Sequence, residues 1–243
     1  MRGLDQKHSE FASIVDLVPT QLTVGMREVD FKRRRWREES SSEIEPYLRH
    51  HSIPVILGPG RRQYIIDRHH LTRALHEESV ADAPVTIVSD MSALCIDQFW
   101  QELENRGCVH PFDSDGNRRP YAEMPKGISD LSDDPFRSLA GMLKRTGGYA
   151  KSKAPFSEFR WADFLRHRVP RKTVECDFEQ ALTLARELAR GSETAALPGW
   201  LSDHRCPQTR ITRKRKAFDK GVRQSETHRR YHRDFDFNKY RQH

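Results

Sequence analysis

Residues 53–78, IPVILGPGRRQYIIDRHHLTRALHEE, constrain the fold more than any other stretch of the chain. A β-branched run, a Gly-Pro-Gly turn and a second β-rich run predict a hairpin. The second strand then passes directly into a helix expected over 68–78. Leu71, Ala74 and Leu75 recur at i, i+3, i+4 and form an apolar stripe, with Asp67 placed to cap the helix. His70, Arg73 and Glu77 share the opposite flank. A helix with one apolar stripe needs a partner layer, and APVTIVSD at 83–90 supplies a further strand. The expected class is therefore α+β.

The remaining elements extend this unit at both ends. FASIVDLV at 11–18 alternates loosely and stops at Pro19, as a short strand would. Residues 28–50 are charge-rich and predicted as a largely exposed helix. Beyond residue 92 the pattern becomes helical. SALCIDQFWQELENRG closes on Gly107, DPFRSLAGMLKRTGG and FSEFRWADFLRHR follow, and DFEQALTLARELARG carries a broad apolar face between Asp177 and Gly191. There is no internal repeat. The organisation expected is a small mixed sheet with helices over 10–92, a helical extension over 93–202, and a basic tail over 203–243.

The net charge of +7 is a property of that tail. Residues 204–243 hold 13 of the 42 Lys/Arg and 4 of the 35 Asp/Glu, leaving 29 basic and 31 acidic groups in the first 203 residues. A basic folded body is thus excluded as a reason to bind nucleic acid. The tail alone is suited to phosphate contacts along a nucleic acid. Four scattered cysteines, Cys95, Cys108, Cys176 and Cys206, form no CxxC pair and read as reduced thiols. No segment approaches the roughly 20 apolar residues of a membrane span, so a cytoplasmic protein without membrane contact is expected.

The strand-to-helix junction is where chemistry is expected. A helix N-terminus offers unpaired N–H groups and a positive dipole end, and is a natural anion site. Arg68, His69, His70 and Arg73 add donors matched to phosphate oxygens. The alternative is a polar surface helix with a histidine bonded to a neighbouring carbonyl, and spacing alone does not separate the two. Metal binding by Asp67, His69, His70 and His76 is disfavoured, because adjacent helical histidines point about 100° apart. No metal ligand set is assigned here.

VPTQLTVGMREVDFKRRRWRE at 18–38, followed by IPVILGPGRRQYIIDRHHLTRAL, resembles the ParB/sulfiredoxin-like superfamily and, more narrowly, a family of ParB-like nucleases. HPFD, DDPFRSLAG, GGYAK, PFSEFRWADFLR and LPGW continue the resemblance to about residue 200. It implies a ParB/sulfiredoxin-like fold in which the short motif DRHH, Asp67 to His70, grips a nucleotide's phosphates. It also implies a second segment, QLTVGMREV, facing the motif, with Arg27 as a phosphate clamp and Glu28 as a general base or magnesium holder. The chain departs from partitioning ParB proteins in lacking a GERR-type arginine pair and a helix-turn-helix. It departs from sulfiredoxins in having Arg68 where they place a cysteine.

Weaker signals complete the reading. DSDGN at 113–117 begins like a calcium loop, but Met124 occupies the position where a bidentate Glu is required. DDPFRSLAG places Arg137 and Ser138 in a helix's first turn, either beside a cap or as a second anion contact. Phe156, Phe159, Trp161 and Phe164 read as core. The expectation is a phosphoester-cleaving enzyme, nuclease or nucleotide hydrolase, taking a nucleotide or phosphorylated substrate with Mg2+. Asp67 orients the motif, Arg27, Arg68, Arg73, Arg137 and Ser138 bind, and Glu28, His69 and His70 act. A nucleotide-gated DNA- or partner-binding protein and a small-molecule kinase are the alternatives.

Overall fold

The computed structural model describes residues 9–38, 47–48 and 51–201. The basic tail, Cys206 and most of 39–50 lie outside the described residues. Five strands form one mixed sheet: β1 (Ser9–Ser13), β2 (Val18–Pro19), β4 (Ile53–Leu57), β5 (Gln63–Ile65) and β6 (Asp82–Asp90), in the order β1-β6-β4-β5-β2. β1 with β6 and β4 with β5 are antiparallel, while β4 with β6 and β2 with β5 are parallel. The stretch read as one strand over 11–18 is broken by a 3-10 turn at Ile14–Asp16, so that β1 and β2 sit at opposite edges.

β4 is the central strand, and all five of its residues are buried. Alternation along a strand sends neighbouring side chains to opposite faces. Ile53 and Val55 accordingly join α1 (Met26–Glu38) and α2 (His69–Glu77) in one core, meeting Val29, Leu71, Ala74 and Leu75. Ile56 joins Tyr64 and the side chains of α3 (Ile96–Asn105) in a second core on the other face, where Phe99 and Trp100 pack.

A third core holds the helical segment. It is built from α4 (Pro135–Arg145), α5 (Ser157–Arg166), α6 (Arg171–Cys176) and α7 (Phe178–Arg190) around the buried Trp161 and Tyr149, whose rings stack at 4.4 Å. α6 is a helix that the sequence reading did not anticipate. A two-stranded parallel pair, β3 (Thr23–Val24) with β7 (Ser132–Asp133), stitches the segment before α1 to the segment before α4. That stitch brings the two helix N-termini together, with Met26 N donating to Asp133 and Arg27 N to Ser138.

The caps follow the sequence at two helices and depart from it at a third. Asp134 opens α4, accepting from Phe136 N at 2.9 Å while Arg166 Nη2 donates to its second oxygen. Asp177 opens α7, accepting from Gln180 N at 3.0 Å. α2, however, is not capped by Asp67. Its carboxylate accepts the N–H of the adjacent Arg68 at 2.6 Å, and Arg68 becomes the N-cap in a left-handed conformation, φ 67°. Cys95, Cys108 and Cys176 are free thiols, and among the described residues no helix is long and apolar enough to cross a membrane.

Candidate functional site

The junction after β5 is strained and uncapped. A left-handed arginine costs on the order of 1 kcal/mol, a conformation held only where surrounding structure enforces it. Among the described residues no side chain caps α2, and first-turn N–H groups so placed can meet solvent or a ligand.

The two histidines behind the junction are committed to the protein itself. His69 Nε2 accepts from Thr20 N at 3.1 Å, and His70 Nε2 accepts from Gly25 N at 3.0 Å. Burial, then the charge of Arg137, lowers His69 to about 3, and the same two causes hold His70 well below its ordinary value. Both rings are therefore neutral acceptors that pin the chain entering α1. Their divergence explains why they are adjacent: each clips a different point of one segment. In each ring the Nε2 lone pair is engaged, and His69 spends its other ring N–H on the Ile65 carbonyl.

Other expected residues are also occupied elsewhere. Arg73 Nη1 donates to three carbonyls, Ile128 at 2.8 Å, Ser129 at 2.6 Å and Leu131 at 3.1 Å, and its Nε pairs with Glu77. It is a strut for the loop before β7. Arg27 is exposed, its guanidinium lying 4.1 Å over the Phe178 ring on α7. Ser138 Oγ accepts the Arg27 N–H at 3.2 Å and so caps α1. Glu28 is clasped by Arg145, Nε to Oε1 at 3.1 Å with Nη2 on the other oxygen, which removes it as a free base. Replacing Arg73 with Met should destabilise the chain by about 2 kcal/mol, since three carbonyls lose their donor. The same change should leave ligand affinity within twofold, checked by urea unfolding alongside titration.

What remains around the junction is a cluster of charged side chains. Asp67 is open to solvent yet ringed by protein, and burial raises its carboxyl against the Arg68 N–H and the Arg68 charge. Burial lowers the Lys32 ammonium, with Glu28 opposing and Arg145 and Arg68 reinforcing. Lys151 is lowered by burial and by Lys144, while Asp67 and Glu158 oppose. Burial alone would raise Glu158, but Lys144 and Arg137, together with the Lys144 hydrogen bond, hold it at about 2. Lys32, Arg68, Arg137, Lys144, Arg145 and Lys151 thus outnumber Glu28, Asp67 and Glu158 by three positive charges.

Arg137 lies buried beside this cluster, attracted by Glu158. It is 4% exposed, its guanidinium lies 3.4 Å from the Phe159 ring centroid, and its Nε and Nη1 are buried without a hydrogen-bond partner. His110 stacks on the same Phe159 ring at 3.7 Å, and its Nδ1 is likewise unpaired. Gly25 fixes how closely the segment before α1 approaches α4. A Cβ there would lie 2.7 Å from Ser138 N and 2.8 Å from its Oγ. Gly25→Ala should cost about 2 kcal/mol, read as a lowered urea midpoint, because the close neighbour is backbone that cannot swing aside.

Residues 11–167 match the family model described as "Putative ParB-like nuclease". The chain belongs to the ParB-like nuclease family. It is also similar to the crystal structure of protein Atu1540 from Agrobacterium tumefaciens, at 45% identity and a TM-score of 0.75, over 80% of this chain and 98% of that one. No curated protein matches it. The ParB-like assignment agrees with the α+β architecture.

The sequence reading of this ParB-like chain missed Lys32, Lys144, Lys151 and Glu158. One signal was available: Glu28 and Lys32 are spaced i, i+4 and so share a face of α1. Lys151 and Glu158 lie inside GGYAK and PFSEF, runs already noted for their family likeness. Their convergence on Asp67 depends on tertiary packing.

Proposed function

We propose that the chain binds a phosphoester at the charged cluster between α1, the β5–α2 junction and α5, and hydrolyses it. The observation that carries this reading is Arg137. A buried guanidinium with two unpaired donors is costly unless acceptors meet them, and an anion is the acceptor that also answers its charge. The family's nuclease description supports phosphoester chemistry in particular.

The roles follow from which groups lie in or beside this cluster. Arg137 and the first-turn N–H groups of α2 hold the phosphate, and Lys32 and Arg68 offset charge that develops on it. Asp67, with its raised carboxyl and its access to solvent, takes the proton of the attacking water. Glu158 stays ionised and holds Lys144 against the anion. Among the described residues no group of three His, Cys, Asp or Glu is arranged to hold a metal. Magnesium fits as an ion carried in by the phosphates, with Asp67 its available carboxylate, since it commonly keeps several waters.

Inorganic phosphate and nucleotides, with and without magnesium, should raise the melting temperature of the full chain. Nicking of supercoiled DNA and release of phosphate from nucleotides then read turnover. Asp67→Asn should lower turnover at least about 100-fold while affinity changes little. Wild-type turnover at background with phosphate bound would remove the hydrolase and leave a binding protein. Residues 204–243 are proposed to contact the nucleic-acid backbone, so deleting them should abolish salt-sensitive retention on DNA. Retention that survives the deletion would refute that role.

A further inference from the structure

We infer that β1 pairs with β1 of a second copy of this chain, antiparallel about a twofold axis at Phe11. The inference is independent of the phosphoester reading. β1 is an edge of the sheet, and among the described residues no strand lies on its outer side. Ile14 N donates to the Ala81 carbonyl at 2.9 Å, which fixes the alternation of the β1–β6 ladder. Ala12 with Ala83 and Glu10 with Val85 are then the bonded pairs, while Ser9, Phe11 and Ser13 turn their N–H and C=O groups away from β6. Pro84, opposite Phe11, has no N–H to offer, in keeping with that phase.

Edge strands that stay unpaired are commonly blunted by a proline, a lysine, a bulge or brevity. The opposite edge, β2, is two residues long and includes Pro19. β1 has none of these devices: its sequence is SEFAS, its register on β6 is unbroken, and Phe11 is 57% exposed. The strand is also complementary to itself. An axis at Phe11 sets Phe11 against Phe11 and Ser9 against Ser13, so that every outward N–H and C=O finds a partner. An axis at Glu10 would oppose two carboxylates, and one at Ala12 would leave Ser9 facing the 3-10 turn at Ile14–Asp16. The Phe11 register instead carries the exposed Glu10 across from the other copy's Ala12. Ala12 and Ser13 border an open recess with Arg61, Arg62 and Asp16, two cations to one carboxylate, which suits the incoming Glu10.

A pair of strands 5 residues long is a small interface, so the dimer should be weak, with a dissociation constant on the order of 100 µM. Sedimentation equilibrium of the full chain should show the average mass rising with concentration from 28.4 kDa toward twice that value. Amide exchange followed by NMR should slow with concentration at Ser9, Phe11 and Ser13 and stay constant at Glu10 and Ala12. Ser13 already has φ −65°, the value proline imposes, and its N–H points outward. Ser13→Pro should therefore keep the monomer fold and weaken association at least about fivefold, through one lost donor at each Ser9–Ser13 pair. Phe11→Lys, which sets two cations together at the axis, should weaken it at least about tenfold. A chain that stays monomeric up to about 1 mM would overturn the inference. So would association that both variants leave unchanged. Protection of Ser9, Phe11 and Ser13 that does not depend on concentration would overturn it too, because residues of the same copy would then cover the edge.

Discussion

Replacing Arg137 with Met should abolish phosphate binding and leave the unliganded chain within about 1 kcal/mol of the wild type. The two effects separate because the side chain is suited to an anion and not to the empty site. Buried and with Nε and Nη1 unpaired, it carries a desolvation penalty of about 1–3 kcal/mol that methionine removes at similar volume. Against this stand the stack on Phe159, about 2 kcal/mol when dry, and the attraction of Glu158 and Asp134. Glu158 keeps Lys144 and Asp134 keeps Arg166, so neither carboxylate is stranded by the change. The unliganded stability should therefore stay within about 1 kcal/mol of the wild type. Loss of a buried cation that meets the phosphate should weaken binding at least about 100-fold. Urea unfolding without ligand and a phosphate titration of the same variant check both halves. A variant that loses binding only because it loses stability would make Arg137 a structural residue.

The fold was legible where local pattern and packing ask for the same thing. The stripe Leu71, Ala74, Leu75 faces the sheet because a period of 3.6 leaves it no other side to bury. The hairpin at 53–65 forms where β-branched runs flank Gly-Pro-Gly. The strand-to-helix junction was legible for the same reason, since a strand that ends in DRHH and opens a helix can be read from the chain. The roles of its side chains were not. His69 and His70 take partners 49 and 45 residues away, and Glu28 takes one 117 residues away. Proximity in sequence carries no information about such pairs. Asp67 illustrates a subtler limit. Its type suits an N-cap, but bonding its neighbour's N–H shifts the helix start by one residue and places Arg68 in the left-handed region. The result is a helix end without a side-chain cap among the described residues, whose N–H groups can meet a ligand.

Acid should unfold this chain earlier than its carboxylates alone would require, with stability falling steeply from about pH 6.5 downward. His69 and His110 sit at about 3 in the folded chain, each through burial and then the charge of Arg137, and His70 is lowered in the same way. A folded value below the unfolded one of about 6.5 means that the unfolded chain binds more protons between the two. Stability is thus fully present above pH 6.5 and is lost as pH falls toward the folded value. Each histidine that stays neutral contributes a slope of about 1.4 kcal/mol per pH unit, so His69 alone should cost about 2 kcal/mol by pH 5. Glu158, held at about 2 against an unfolded 4.5, acts in a different window: its contribution persists above 4.5 and is lost only below it. The interval from pH 6.5 to 4.5 therefore isolates the histidines from it. Urea unfolding at pH 7.5, 6 and 5 should show a falling midpoint in the wild type. His69→Gln, which can still accept from Thr20 N, should fall by about 2 kcal/mol less over the same range. Identical pH slopes in the two proteins would show that His69 protonates in place, and would return it to the set of groups able to donate to a ligand.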